Sequence, residues 1–190
     1  MKLLPYNMGC GPKFIEGYVN VDGLMWKDVT NIIHNLTKIP YPFVEEFSAD
    51  EILAVEVLEH ISFKHTVRVL EEWYRILKVG GVLKLQVPDC GKAMEYYVNK
   101  QICSCVPHKS IKGDSNGSFK SDHNCFNCNG RGKINPNRWL FSFTGAGKHK
   151  FDHHLNIFTK DILLKNLEDA GFKNITFKDD IYKLKVTCVK

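Results

Sequence analysis

Apolar and polar positions along the chain switch between a strand-like period of two and a helix-like period near 3.6, and the order of the switches predicts the fold. A short apolar entry, Leu3-Leu4-Pro5-Tyr6, leads into a turn with two glycines, Asn7-Met8-Gly9-Cys10-Gly11, and then a β-branched strand, Tyr18-Val19-Asn20-Val21-Asp22. Val29 to Leu36 (VTNIIHNL) predicts a third strand. Ile39-Pro40-Tyr41-Pro42-Phe43 predicts a loop, because its two prolines remove ladder donors. Glu51 to Val57 (EILAVEV) is mostly apolar between polar flanks, as a buried parallel strand would be. Ser62 then caps a predicted helix to about Lys78, with Val67, Leu70, Tyr74 and Leu77 on one face and Gly80-Gly81 ending it. Val82 to Val87 predicts a strand closed by Pro88-Asp89, and Lys92 to Asn99 a short helix.

From Gln101 to Lys133 the periodicity stops, and glycine, serine, asparagine and lysine take over; this is an insertion. An aromatic-rich segment, Trp139 to Gly147, and a basic, histidine-rich loop, Lys148 to His154, follow it. Thr159 caps a last predicted helix bearing Leu163, Leu167 and Ala170 and ended by Gly171. Ile175 to Lys178 and Lys183 to Val189 are strands close enough in sequence to pair as a hairpin. Such alternation predicts an α/β domain whose parallel sheet binds ligands at the carboxyl ends of its strands.

Composition narrows this. A chain of 190 residues with 44% hydrophobic content builds one domain, 1–190, with residues 101–133 as an inserted subdomain. The formal charge of +5 is too small to make nucleic acid the default partner. No apolar run reaches membrane-spanning length and the first residues lack the core of a signal peptide, so a soluble, cytoplasmic protein without membrane contact is expected. Seven cysteines is an odd number, and four of them fall in C-x-C and C-x-x-C pairs, which in a reducing compartment points to metal rather than disulfides.

The glycine bend is the first candidate for chemistry. Gly9 and Gly11 let the backbone turn and approach a ligand closely, and Asp22, at the end of the next strand, is placed to accept from two ribose hydroxyls. Only six residues separate Gly11 from Tyr18, whereas a parallel crossover normally takes about a dozen or more. The first helix of the fold is therefore a single turn or absent. Asp22 follows Gly11 by eleven residues rather than the roughly twenty of a dinucleotide fingerprint, and Phe14 stands where a third glycine would be sought. Both observations argue against NAD.

The ordered set N-M-G-C-G at 7–11, G-Y-V-N-V-D at 17–22, V-L-E-H-I at 57–61, Y-R-I-L-K-V-G-G at 74–81, V-P-D at 87–89 and D-A-G-F at 169–172 resembles the class I S-adenosylmethionine-dependent methyltransferases, of the small predicted type found in bacteria and their phages. The resemblance covers nearly the whole chain outside the insertion. It implies a Rossmann-like, mostly parallel seven-stranded sheet with one antiparallel strand from the C-terminal hairpin. It also implies a cofactor, S-adenosyl-L-methionine, and a set of binding positions. Asn7, Met8, Gly9, Cys10 and Gly11 would line its methionine part, Asp22 would hold the ribose, and Asn35 and Leu36 would sit beside adenine. Val57, Leu58, Glu59 and His60 would form the wall near the sulfonium. Asn7 and Asn35 depart from acidic residues common at their positions, and Asn7 cannot counter the charge of the methionine ammonium.

Methyl transfer asks the protein mainly to align the acceptor and exclude water, with a base needed only where the acceptor loses a proton. His60, at a strand's carboxyl end, is a candidate for direct involvement or for helix-entry packing. His149, His153 and His154 lie in a loop suited to a lid, with His149 the candidate catalytic group; the plainer alternative is a solvated basic loop. Cys90 is set aside as a nucleophile of the cytosine-5 RNA methyltransferase kind, because the companion cysteine after Val57 is missing.

In the insertion, Cys103-x-Cys105 and Cys125-x-x-Cys128-x-Gly130-x-Gly132 are nineteen residues apart, and the second half resembles the zinc repeats of DnaJ-type chaperones. Four thiolates would close a structural zinc site and order a segment with little core of its own, with His108 or His123 as replacements for one thiol. The expected acceptor is a small molecule or sugar-containing metabolite. Two alternatives stay open: an RNA-modifying enzyme using Lys109, Lys112, Lys120, Arg131 and Lys133, or a non-catalytic cofactor-binding protein that docks a partner.

Overall fold

The computed structural model describes residues 3–99, 143–145, 152–178, 180 and 182–190. Seven strands form one sheet: β1 (Leu4–Met8), β2 (Val19–Asp22), β3 (Ile32–Ile33), β4 (Ala49–Val55), β5 (Leu77–Pro88), β6 (Lys173–Lys178) and β7 (Lys183–Val189). Their spatial order is β3-β2-β1-β4-β5-β7-β6. All neighbours run parallel except in the two pairs made by β7, so β7 alone is antiparallel, as the C-terminal hairpin predicts. The winding direction reverses between β1 and β4, which opens a crevice beyond their carboxyl ends.

Pro5 lies in β1, a central strand, where it cannot donate to the ladder. The register slips at that point, Leu4 pairing with Ala49 but Tyr6 with Ile52, and the irregularity accommodates the missing N–H. No helix intervenes between β1 and β2, as their short connection requires.

Pairing carries one row of side chains across six strands: Asn20, Asn7, Leu53, Lys84, Thr187 and Thr176. On the opposite face the neighbouring row, Tyr6, Ile52, Leu83 and Cys188, is buried. The apolar face receives helix α1 (Phe63–Ile76) and helix α3 (Lys160–Asp169), while helix α2 (Cys90–Asn99) follows β5. On the polar face Val55, Lys84, Thr176, Lys178 and Thr187 are exposed. Strands β4, β5 and β7 are therefore half-buried rather than enclosed on both sides, contrary to the reading of 51–57 as a fully buried strand. Among the described residues no helix is long and apolar enough to cross a membrane.

Several sequence-based boundaries move. The third strand spans only Ile32–Ile33: Asn31 before it still donates its backbone N to Asn20 O at 2.8 Å, while Asn35 beyond it turns its side chain to the Thr37 backbone. The helix after Ser62 ends at Ile76, and Leu77 is already extended and paired with Ala49. Gly80 and Gly81 thus lie in an irregularity of β5, not at a helix end. Ser62 occupies the N-cap without a side-chain cap bond; its carbonyl accepts from His65 N at 2.8 Å and Thr66 Oγ1 at 3.2 Å. The buried face of α1 is Thr66, Val69, Leu70, Trp73 and Ile76, turned from the expected stripe so that Val67 and Tyr74 sit at its margin.

The last helix matches its prediction. Thr159 Oγ1 accepts from Ile162 N at 3.3 Å, and Leu163 and Leu167 are buried. Gly171 N donates to Glu168 O and Phe172 N to Leu167 O, the paired bonds of a Schellman motif. Phe172 then meets Tyr74 edge-on at 5.3 Å, joining α3 to α1.

Candidate functional site

The bend after β1 projects into the crevice. Gly9 N and Cys10 N both donate to Val21 O, at 2.8 and 3.0 Å, so the bend is pinned to β2. Gly9 has φ +69°, and a Cβ there would lie 2.3 Å from Val57 Cγ2; the position takes no side chain because β4's exit loop packs directly on it. Gly11, at φ +53°, is different: a Cβ there would meet nothing within 4 Å. The bend is thus closed on the Val57 side and open over Gly11.

Asp22 faces that opening from the end of β2. Its Oδ2 accepts from Gly11 N and its Oδ1 from Leu24 N, both at 2.8 Å, which fixes the carboxylate while leaving each oxygen a further lone pair. Cys10 is buried and lies 3.9 Å, sulfur to oxygen, from Thr30 Oγ1; burial pushes its thiol up, so it is neutral there.

Asn7 and Met8 point away from the opening. Met8 is in the core, and Asn7 Nδ2 donates to Asn20 Oδ1 at 2.8 Å. Asn20 is a hub: its Nδ2 donates to Ile15 O and Tyr18 O, its Oδ1 accepts from Ile15 N, and its backbone N donates to Asn31 Oδ1. These bonds hold the segment between β1 and β2 where a helix would otherwise do so. The composition of that segment gives no hint of the network; the only sequence signal is a polar residue inside a β-branched strand.

Asn35 is exposed beyond β3, and its Oδ1 accepts from Thr37 N and Thr37 Oγ1. Leu36 is buried, and its carbonyl accepts from Tyr41 OH at 3.0 Å. Tyr41 OH also accepts from Trp73 Nε1 at 3.1 Å, and Tyr41 N donates to Glu72 Oε1 at 2.7 Å. Glu72 in turn holds Arg75 in a two-pronged ion pair. The Pro-rich loop is thereby bolted to α1, and it supports the Asn35-Leu36 corner from below.

Beyond β4, a single 3-10 turn, Leu58–His60, carries Leu58 into the core and Glu59 into a buried position. Glu59 is 1% exposed, and neither carboxylate oxygen has a hydrogen-bond partner among the described residues. Burial first, and then the nearby Glu56 charge, raises its carboxyl well above the usual carboxylate range. Glu56 itself pairs with Lys183. The carbonyl of Glu59 accepts from Leu155 N at 2.8 Å and Asn156 N at 3.1 Å, and Asn156 Nδ2 reaches Thr66 Oγ1 at 2.7 Å.

Those bonds bring the histidine-rich loop onto the turn. His60 Nδ1 lies 3.1 Å from His153 O, and the His60 and His154 rings meet edge-on with centroids 5.0 Å apart. Burial first lowers the pKa of His60, and the proximity of His154 adds to that, against the His153 carbonyl. His153 and His154, two of the three histidines of the loop read as suited to a lid, therefore lie against His60. His149 and the four cysteines Cys103, Cys105, Cys125 and Cys128 lie outside the described residues, as do His108 and His123. Cys90 is buried with its thiol pushed up to about 11, chiefly by desolvation, which suits a packing role.

A family described as "Methyltransferase domain" matches residues 18–85, the span from β2 through β5 that holds Asp22, Asn35 and Val57 to His60. No curated protein sequence matches the chain. Among solved structures, an S-adenosylmethionine-dependent methyltransferase from Mesorhizobium loti is 14% identical, with a TM-score of 0.53 over 99% of this chain and 91% of that one. The 1,6-didemethyltoxoflavin-N1-methyltransferase of Burkholderia thailandensis, solved with 1,6-didemethyltoxoflavin and S-adenosylhomocysteine, is 11% identical, with a TM-score of 0.53 over 100% of this chain and 71% of that one. A phosphoethanolamine N-methyltransferase 2 from Haemonchus contortus, in complex with phosphomonomethylethanolamine and S-adenosylhomocysteine, is 11% identical, with a TM-score of 0.54 over 100% of this chain and 49% of that one. At these identities the likeness is one of fold: the chain has the Rossmann-like class I methyltransferase architecture.

Proposed function

We propose that this protein is an S-adenosylmethionine-dependent methyltransferase whose acceptor is a small molecule or a sugar-containing metabolite. The observation that carries the reading is the pairing of Gly11 with Asp22 at the topological switch point: an open bend beside a fixed carboxylate that still has lone pairs to offer. The matched methyltransferase domain, beginning just before Asp22, supports it.

In this reading Asp22 accepts from the two ribose hydroxyls, and the backbone of Gly9, Cys10 and Gly11 borders the methionine part. Asn35 and Leu36 border adenine through the corner that Tyr41 holds. Val57 to His60 form the wall beside the reacting centre, and His60 faces the acceptor, with His149 the other candidate catalytic group. The bound cofactor would supply a methyl group on a sulfonium, an electrophile with a good leaving group already attached. The chain's own share of the work is to orient the acceptor and keep water away.

Small acceptors agree with the ligands found in the Burkholderia and Haemonchus enzymes. A structural zinc on Cys103, Cys105, Cys125 and Cys128 would order the insertion on the acceptor side. Zinc content of the purified protein tests that part, with about one equivalent expected and less than roughly a tenth of an equivalent counting against it. The activity is tested by incubating cell extracts with protein and isotopically labelled S-adenosylmethionine and searching for labelled products by mass spectrometry. A labelled metabolite is expected. Label confined to RNA would favour the RNA-modifying alternative, and cofactor binding with no labelled product the non-catalytic one.

A further inference from the structure

The acceptor-side wall carries a group that methyl transfer, as derived above, does not use. Glu59 is almost completely removed from water, and neither of its oxygens accepts a hydrogen bond among the described residues. A buried carboxyl without a partner is strongly unfavourable unless it stays protonated or meets a cation. Among the described residues, Lys183 pairs with Glu56, and the amides of Leu155 and Asn156 bond to the Glu59 carbonyl instead of its side chain.

Two imidazoles stand beside it. One ligand atom each from Glu59, His60 and His154 lies within 4.8 Å of the other two, a spacing that a single ion can bridge. His60 is also held for the purpose. Its Nδ1 faces the His153 carbonyl at 3.1 Å, and since a carbonyl can only accept, the ring carries its proton on Nδ1 and presents the Nε2 lone pair. A backbone carbonyl that fixes the tautomer of a histidine is the usual outer partner of a metal ligand. His154 is brought into place by the bonds from Leu155 and Asn156 to Glu59 and by His154 N donating to Thr144 O at 3.2 Å.

We propose that Glu59, His60 and His154 form a binding site for a divalent first-row transition metal at the carboxyl end of β4. One carboxylate and two imidazoles suit manganese, iron, cobalt or zinc better than calcium or magnesium, and three protein ligands leave room for an exchangeable oxygen ligand. Its ligand set differs from the four thiolates proposed for the insertion, which would select a softer ion. Metal binding requires no methyl donor, so it stands or falls apart from the proposed activity.

The test is a titration of the chelator-treated full chain with Mn2+, followed by the loss of the free-ion signal in electron paramagnetic resonance. One Mn2+ per chain is expected. Glu59→Gln, which keeps shape and removes charge, and His154→Ala are each expected to weaken binding by roughly tenfold or more. Thermal melts without metal identify a variant that has failed to fold, and Co2+ spectra of parent and variants provide a second readout: visible bands present in the parent and reduced in Glu59→Gln and His154→Ala are expected. Thr187→Ala, on the exposed face of the sheet, is expected to bind Mn2+ as the parent does. No Mn2+ binding to the parent, undiminished binding by both folded variants, or equal loss of Mn2+ binding in Thr187→Ala would overturn the proposal.

Discussion

Asn7 and Asn20 join side chain to side chain across β1 and β2, with Asn7 Nδ2 donating to Asn20 Oδ1 at 2.8 Å inside the protein. Asn20 does for the first crossover what a helix does in a longer parallel crossover, because its other bonds fix Ile15, Tyr18 and Asn31. Asn20→Ala strands several buried partners at once and is expected to destabilise the protein by about 3 kcal/mol. Urea unfolding measures this, and a loss below about 1 kcal/mol would show that water replaces the network readily.

The two glycines of the bend are expected to behave differently. Gly9→Ala meets Val57 as well as an unfavourable φ, whereas Gly11→Ala meets only the φ. Gly11→Ala is expected to cost about 1–2 kcal/mol, and Gly9→Ala about 2 kcal/mol more than that. Adding Val57→Ala to Gly9→Ala should recover part of the loss relative to the two single changes. A double-mutant cycle by chemical denaturation reads that coupling; strict additivity would mean that the bend moves away from Val57 without penalty.

Asp22 holds the bend through Gly11 and, in the proposed site, the ribose through its remaining lone pairs. Asp22→Ala is expected to weaken S-adenosylhomocysteine binding by about tenfold or more, the loss of roughly one charged hydrogen bond. Calorimetric titration of parent and variant settles it, and unchanged affinity would remove Asp22 from the site. Asp22→Asn, which can still accept at one oxygen, should fall between the two.

Tyr41→Phe deletes a hydroxyl that accepts from Trp73 Nε1 and donates to Leu36 O, leaving both without that partner. A cost of about 1–3 kcal/mol is expected, with the Asn35-Leu36 corner loosened. Hydrogen exchange at the amides of 35–38 should accelerate more than in the core of β4; equal protection in parent and variant would contradict the bracing role.

The sheet and its topology were legible because each prediction rested on punctuation that the backbone obeys. Thr159 and Gly171 bound a helix where they were expected to, and the short Gly11-to-Tyr18 link left no room for another. The extent of β3 was not legible, since Asn35 turns its side chain to the local backbone of Thr37 and the ladder stops after two residues. Nor was the end of α1: the Gly80-Gly81 pair has the composition of a helix stop, but pairing between Ala49 and Leu77 ends the helix first. At the site, Glu59 read as one more wall residue, because burial without a partner depends on Leu155 and Asn156 folding back from about a hundred residues away. The alternation Leu83, Leu85, Val87 against Lys84 and Gln86 was a visible sign of a half-solvated sheet.

That alternation has a bearing on how the chain can change. Since Lys84 and Thr187 look outward from strands whose alternate residues Leu83, Leu85, Val186 and Cys188 are sealed in the interior, these positions can exchange charge, shape or polarity with little effect on folding. A parallel sheet wrapped on both sides has no such tolerant half. Here the outward positions of β5 and β7 are places where new surface character can accumulate while the bend, the carboxylate and the histidines stay as they are.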